Sequence, residues 1–202
     1  MKRVDYLDDN DKQIADEEIA QMKRLTSRYT VRLVYTFQDR VDMYMVMEYC
    51  EKGDLRKVIT ELQQLPEEER VMRVWVLFAQ IILSLNFMHN KNVIHRDIKP
   101  ENIFIMNDGS IRLGDFGLSK VISSKDYASI AGTRMFFSSD VYAVGICIFE
   151  LLTGKHPFRV DKDEQATINN ILLGKSAQLP GWIPSDLKQL ICKMMNPVCY
   201  II

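Results

Sequence analysis

Two short polar motifs on either side of a predicted hairpin constrain this chain more than any other feature of its 202 residues. The first motif holds Asp97, Lys99 and Asn102 within six consecutive positions. The turn sequence Asn107-Asp108-Gly109 follows, and it is typical of a tight β-hairpin. The second motif, Asp115-Phe116-Gly117, comes just after the second predicted strand. An unrelated polar loop followed by an unrelated strand explains neither this spacing nor the hairpin.

The two motifs resemble the catalytic loop and the metal-binding loop of a eukaryotic protein kinase domain of the serine/threonine type, in the same order. The resemblance runs along nearly the whole chain. It implies an α+β, two-lobed protein-kinase-like fold, with a truncated N-terminal sheet lobe and a mainly helical C-terminal lobe. Residues 48–55, the helix that contains Trp75, and residues 113–120 look like the NIMA-related group of these kinases.

Phosphoryl transfer requires positioning and charge neutralisation, with little covalent chemistry from the protein. By resemblance, Asp97 accepts or orients the proton of a substrate hydroxyl, and Lys99 neutralises charge on the transferring phosphoryl group. Asn102 and Asp115 would supply hard oxygen ligands for Mg²⁺. Gly117 would let the loop turn after the metal ligand. Lys99, two places after Asp97, favours serine/threonine over tyrosine transfer.

The resemblance also implies an ATP site. Lys2 would pair with Glu18 and hold the nucleotide phosphates, although Glu18 could instead be a solvated acid in an acidic run. Met47 corresponds to the gatekeeper, and the backbones of Glu48 and Cys50 would bind adenine. Asp54 would then lie near the ribose, although it could equally cap the next helix. The implied ligands are ATP and Mg²⁺, and the implied partner is a protein with a Ser or Thr acceptor.

Six further residues correspond to structural or regulatory positions of the family. His95 and Phe116 correspond to an apolar stack between the lobes, and Ser129 and Thr133 lie in the candidate activation segment. Arg96 marks control by phosphorylation, and Asp140 corresponds to a residue that supports the catalytic loop from the helical lobe. Ser129 is the predicted phosphate acceptor that would pair with Arg96. Thr133 is expected to hydrogen-bond Asp97 and Lys99.

The remaining pattern places strands early and helices late. Apolar periodicity and turn signals predict a helix over residues 11–25, a hairpin over 31–49, and helices over 66–89, 164–173 and 184–195. The acids that follow Pro66 suit a helix start, and that helix is apolar nearly all round, which predicts a central buried element. Ser138, Ser139 and Asp140 offer an N-cap for another apolar helix that ends near Gly154.

Composition narrows the class of protein further. The formal net charge of −1 argues against a nucleic-acid partner. Polar residues interrupt the apolar run over 74–88, and the run over 141–152 is too short to span a bilayer, so no transmembrane segment is expected. The four cysteines form no C-x-x-C pair and lie away from the histidines in sequence. They favour a reduced, cytoplasmic location and no metal cluster.

Parts of the family pattern are missing. Residues 1–49 resemble a partial N-lobe that begins at the third strand, without the glycine-rich loop. Residues 50–202 resemble the C-lobe, with an internal deletion near residues 138–139, where the Ala-Pro-Glu segment should lie, and a truncated C-terminus. Three interpretations stay open: an active kinase, a pseudokinase-like binding or scaffold module, and a fragment of a complete kinase from an incomplete gene model.

Overall fold

A three-stranded antiparallel sheet and one helix form the N-terminal part of the computed structural model, which describes residues 1–122 and 130–196 but not the side chains of residues 130–136. Strands β1 (Lys2–Asp5), β2 (Leu33–Asp39) and β3 (Asp42–Met47) lie in the order β1-β3-β2. The register pairs Asp39 with Asp42, so Arg40 and Val41 form a two-residue turn. Such a turn needs a positive φ, and Arg40 has a φ of 55°.

Helix α1 (Asp9–Arg24) connects β1 to β2 and covers one face of the sheet. Asp8 caps it by accepting a hydrogen bond from the Asp11 N–H, and Lys23 and Arg24 lie at its negative end. Its buried residues recur at helical spacing and include one acid, Glu18. Because a buried carboxylate requires a polar partner, we expect Glu18 to make a polar contact between α1 and the sheet.

The C-terminal part is helical: α2 (Leu55–Leu62), α3 (Glu67–Asn90), α4 (Ile130–Thr153), α5 (Glu164–Leu172) and α6 (Ser185–Met194). Helices α3 and α4 pack together, and α2 and α6 pack against α4. The core residues between them include Val74, Ile81, Val144, Leu151 and Leu187, which are fully buried. Apolar burial on this scale is what holds the helical part together.

Helix α3 is central, as predicted. Its composition also predicted burial on all sides, and that prediction is wrong. Met72, Val76 and Leu83 are more than half exposed along one side. Among the described residues, α3 alone is long and apolar enough to cross a membrane, and 44% of its most apolar 18-residue stretch is buried. The buried side contacts α4 and β6 (Ile111–Leu113), which is the environment of a core helix.

Four short strands position the two polar motifs. Strand β4 (Val93–Ile94) pairs with β7 (Lys120–Val121), and β5 (Ile103–Ile105) pairs with β6. The first motif therefore lies between β4 and β5 and ends in a 3₁₀ turn, Pro100–Asn102. The second motif lies between β6 and β7. Pairing of β4 with β7 and of β5 with β6 brings both motifs to the same side of the small strands.

The start of α4 differs from the prediction. The helix begins at Ile130, so Ser138, Ser139 and Asp140 lie inside it and do not cap it. Phe137 packs against the His89 ring, with 4.4 Å between ring centroids, so the helix has a tertiary contact before Asp140. Extending an existing helix costs less than starting one, and this favours continuation through the serines.

The predicted α+β class is confirmed.

Candidate active site

A cleft of about 340 Å³ lies between the three-stranded sheet and the β5–β6 hairpin. Its apolar walls include Met22, Val31, Met47 and Phe104. Its polar residues come from distant parts of the chain: Lys2, Glu18, Glu48, Asn102 and Asp115. The volume and the mixed lining suit a small ligand with one apolar and one charged end.

Lys2 organises the charged end of this cleft. Its Nζ atom lies 2.7 Å and 2.9 Å from the two carboxylate oxygens of Glu18 and 2.8 Å from Oδ1 of Asp115. The Glu18 side chain is 5% exposed, so α1 buries a carboxylate that Lys2 compensates. Glu18 is therefore paired and not a solvated acid.

The pKa values of these groups reflect the pairing. Burial alone would lower the pKa of Lys2, but the hydrogen bonds from its ammonium to Asp115 and Glu18 outweigh burial and raise it. Burial alone would raise the pKa of Asp115, but Lys2, the Gly117 N–H and Lys99 outweigh burial and lower it. Lys2 is thus held positive and Asp115 negative.

Asp97, Lys99 and Asn102 form a second polar network. Oδ2 of Asp97 accepts hydrogen bonds from Lys99 Nζ at 2.6 Å and from Asn102 Nδ2 at 2.8 Å. The Asn102 amide also donates to the Asp97 carbonyl at 2.9 Å. The bond to Asp97 raises the pKa of Lys99 and keeps the ammonium charged. Both N–H groups of the Asn102 side chain donate to Asp97, so its amide oxygen is available to another ligand.

His95 joins the two motifs. Its pKa is lowered by burial, which outweighs the nearby carboxylates, so the ring is neutral. Nδ1 accepts a hydrogen bond from the Asp97 N–H at 3.3 Å, and Nε2 lies 3.1 Å from the Gly114 carbonyl. A neutral ring that accepts at Nδ1 carries its proton at Nε2, and it can therefore satisfy both contacts. The ring centroids of His95 and Phe116 lie 5.5 Å apart, and the role of the two residues in an apolar stack between the lobes stays a prediction.

Asp140 of α4 holds the first motif from below. Its carboxylate, 1% exposed, accepts hydrogen bonds from the His95 and Arg96 backbone N–H groups, each at 2.9 Å. It also lies 2.8 Å from Nε2 of His89. Arg96 has a φ of 67°, a conformation that is costly without such support. His89 was missed by the sequence interpretation, because nothing local marks a contact across 51 positions.

The loop does turn at Gly117, where the Ser119 N–H donates to the Phe116 carbonyl at 2.9 Å, but the turn does not use a positive φ at the glycine. The residue with a positive φ is Asp115, at 60°, and Gly117 is not among the positive-φ glycines. A Cβ at Gly117 would lie 3.4 Å from Oε2 of Glu18 and 3.6 Å from Oδ1 of Asp115. Both distances are ordinary van der Waals contacts, and the role of Gly117 that the structure does show is its N–H, which supports the Asp115 carboxylate.

The segment after β3 borders the apolar end of the cleft, where Met47, Glu48, Cys50 and Gly53 contribute to its wall. The Glu48 side chain accepts from the Arg32 N–H at 2.8 Å, which ties this segment to β2. Asp54 caps α2 by accepting from the Arg56 N–H at 3.0 Å, as one of its two predicted roles requires. Its ribose role stays a prediction.

Two predicted regulatory residues cannot be placed at the site. Ser129 lies outside the described residues. The backbone of Thr133 is helical, within α4, whose start was predicted at residues 138–140, and the described part of the structure does not include its side chain.

The match to known proteins agrees with this geometry. A family model for the protein kinase domain matches residues 1–200, and the chain belongs to that family. The serine/threonine-protein kinase Nek1 of Mus musculus is 29% identical over 96% of this chain and 17% of its own length. Nek6 of Oryza sativa subsp. japonica is 32% identical over 97% of this chain and 39% of its own length.

A third relative, the G2-specific protein kinase nimA of Emericella nidulans, is 33% identical over 77% of this chain and 28% of its own length. The predicted resemblance to serine/threonine kinases, the NIMA-related ones included, is confirmed. The chain spans less than two-fifths of the length of each of these three relatives.

Proposed function

We propose that this chain is a serine/threonine protein kinase domain that binds ATP with Mg²⁺ and transfers the γ-phosphate to a protein hydroxyl. The observation that carries the proposal is the Lys2 ammonium, bonded to both Glu18 and Asp115 at the charged end of the cleft. A fixed cation between two carboxylates can neutralise nucleotide phosphates without reorganising when the ligand arrives.

The apolar end of the cleft suits the base of the nucleotide. Met47 would border the adenine ring, and the Glu48 carbonyl and Cys50 N–H would hydrogen-bond its edge. Asp54 follows Gly53 of the cleft wall and would accept from a ribose hydroxyl while it caps α2.

The donor set at the charged end fits magnesium. Asn102 contributes an amide oxygen and Asp115 a carboxylate that its surroundings keep negative, and Mg²⁺ prefers such hard oxygen ligands. Within residues 1–122 and 130–196, no group of three or more His, Cys, Asp or Glu could hold a metal alone. Magnesium in kinases is normally completed by water and nucleotide phosphates. When bound, the ion would neutralise charge on those phosphates.

The proton of the acceptor hydroxyl would go to Asp97. Lys99 and Asn102 both bond Oδ2 of Asp97, so its Oδ1 is left to orient and accept that proton. Lys99, charged and in contact with Asp97, would stabilise negative charge on the transferring group.

A nucleotide-binding module without efficient transfer is the second candidate. The observation that favours it is the helical backbone at Ala131, Gly132 and Thr133, since Thr133 had been predicted to hydrogen-bond Asp97 and Lys99 from the activation segment. In this case ATP would bind in the cleft, but the acceptor peptide would not be positioned.

Incubation of the chain with labelled ATP, Mg²⁺ and a mixed peptide library, followed by phosphoamino-acid analysis, tests the proposal. Phosphoserine and phosphothreonine are expected, and Asp97→Asn should abolish them while ATP binding persists. Asp108→Asn, the same change in an exposed turn, is the matched control. ATP binding without transfer by the unmodified chain would favour the second candidate, and predominant phosphotyrosine would contradict the proposed acceptor.

An intracellular, reducing location is part of the proposal. The cysteines of the described segments, Cys50, Cys147 and Cys192, are free thiols, which supports it.

A further inference from the structure

A second and larger groove, of about 1320 Å³, lies beside the first polar motif. Glu101 of the 3₁₀ turn, Arg56 of α2 and Glu150 of α4 line one part of it. The segment from Gly154 to Asp163 and the α5 residues Thr167 and Ile171 line the other part. The nucleotide cleft and this groove share no lining residue, so the groove is available for a different ligand.

Arg56 binds both acids of this groove. Its Nε atom lies 2.8 Å from Oε1 of Glu101, and its Nη1 atom lies 2.5 Å from Oε2 of Glu150. Glu150 is 5% exposed, so its charge is compensated from inside the protein and not by water. Arg56 and Glu101 are both about half exposed and stand at the open face of the groove.

The groove is close to the predicted phosphoacceptor position. Glu101 is the neighbour of Asn102, whose amide donates to Oδ2 of Asp97 at 2.8 Å. An extended polypeptide advances about 3.3–3.6 Å per residue. A polypeptide that presents a hydroxyl to Asp97 therefore reaches Glu101 within about three residues of that hydroxyl.

We propose that Arg56 is a specificity-determining residue, which occupies the Glu101–Glu150 carboxylate pair and so excludes substrates that carry a basic side chain at this position. This inference rests on the proposed function. Two carboxylates at the edge of a substrate groove would otherwise bind an arginine or lysine of the substrate. An arginine of the protein itself holds that place at a high effective concentration, and it repels a second cation.

Three cations and three acids remain on the rim, so their formal charges cancel and do not reverse this preference: Lys155, Arg159, Lys162, Asp161, Asp163 and Glu164. Lys155 and Lys162 are exposed cations and form no ion pair among the described residues. Arg159 lies 3.7 Å from Asp161, whose side chain is 95% exposed and therefore well screened. Asp163 accepts from the Ala166 N–H as the cap of α5.

The test uses serine peptides in matched pairs, with alanine or arginine at each of the three positions on either side of the serine. Initial rates give an arginine-to-alanine ratio for each position, and this ratio is independent of the total activity of a variant. The unmodified chain should give ratios of one or less. Arg56→Ala should raise the ratio about tenfold or more at one position, and adding Glu101→Gln should remove most of that gain.

Arg159→Ala is the matched control, because it removes a groove cation that does not contact the carboxylate pair. Its ratios should equal those of the unmodified chain. Arg56→Met, which keeps an apolar stem over Glu150, replaces Arg56→Ala if melting shows that the alanine variant is unfolded.

Fluorescence anisotropy of the same labelled peptides, without ATP, separates this inference from the proposed function. If the unmodified chain transfers no phosphate, the proposed function fails, but the affinity ratios still test Arg56. The inference is overturned if the unmodified chain already prefers arginine, or if neither Arg56 variant changes the ratio by either measurement.

Discussion

Asp140 offers the sharpest test of how this fold supports its site. Its buried carboxylate accepts from the backbone N–H groups of His95 and Arg96, each at 2.9 Å. In Asp140→Ala both donors lose their partner: the His95 N–H is buried, and the Arg96 N–H is partly buried. A buried donor left unsatisfied costs about 1–3 kcal/mol, so the two together cost about 4 kcal/mol. The His89 side chain is 16% exposed, so water can replace its contact with Asp140.

Asp140→Asn keeps the size and shape of the side chain and removes one of its two acceptor oxygens, so it isolates the effect of the lost acceptor. The asparagine keeps one oxygen, which can serve one of the two backbone donors, while its NH₂ group faces the other. The expected cost is therefore about half, or about 2 kcal/mol. With a urea m-value of about 2 kcal/mol/M, the unfolding midpoint should fall by about 2 M for alanine and about 1 M for asparagine.

Urea titrations followed by tryptophan fluorescence measure both shifts. Asp161→Ala removes an acid that is 95% exposed, and its unfolding free energy should stay within about 0.5 kcal/mol of that of the unmodified chain. An Asp140→Ala variant that is as stable as the Asp161→Ala control would refute the argument, since the two backbone donors would then have found other partners.

Three further outcomes are expected. Lys2→Met should weaken ATP binding at least tenfold in a calorimetric titration, because it leaves Glu18 and Asp115 uncompensated beside the phosphates; unchanged affinity would remove Lys2 from the site. Gly114→Ala should destabilise by about 1–3 kcal/mol, because the new Cβ would lie 2.7 Å from the Phe104 ring, whereas Gly181→Ala meets nothing within 4 Å and should be neutral in the same melting assay. The pKa of His95 is lower in the folded chain than in the unfolded one, so unfolded chains bind the extra proton and the unfolding free energy should fall as pH drops below about 6.5. His95→Gln should flatten that slope, and an unchanged slope would assign it to other groups.

Much of the local structure follows from the sequence. Helices α1, α3, α5 and α6 begin and end within about three residues of the predicted limits, because periodicity, caps and prolines act over one or two turns. The β5–β6 hairpin follows from its Asn-Asp-Gly turn for the same reason. The order and spacing of the two polar motifs, with the family resemblance that they carry, likewise follow from the sequence alone.

The start of α4 shows where local signals compete. Two serines before an aspartate are strong capping residues, yet the helix runs through them. The deciding contacts lie elsewhere in the chain: His89 packs on Phe137 and bonds Asp140. Capping preference is worth about 1 kcal/mol, which tertiary packing can exceed.

The charged clusters depend on tertiary structure even more. The sequence analysis named Lys2, Glu18 and Asp115 through a resemblance, but the single ammonium that binds both carboxylates is a property of the packed sheet and α1. Arg56 meets Glu101 and Glu150 across 45 and 94 positions, and no local pattern announced it. Local sequence determines helices and turns because their hydrogen bonds close within a few residues. Which charges share a buried pocket is decided only when the elements pack, since desolvation then forces each buried charge to find its partner.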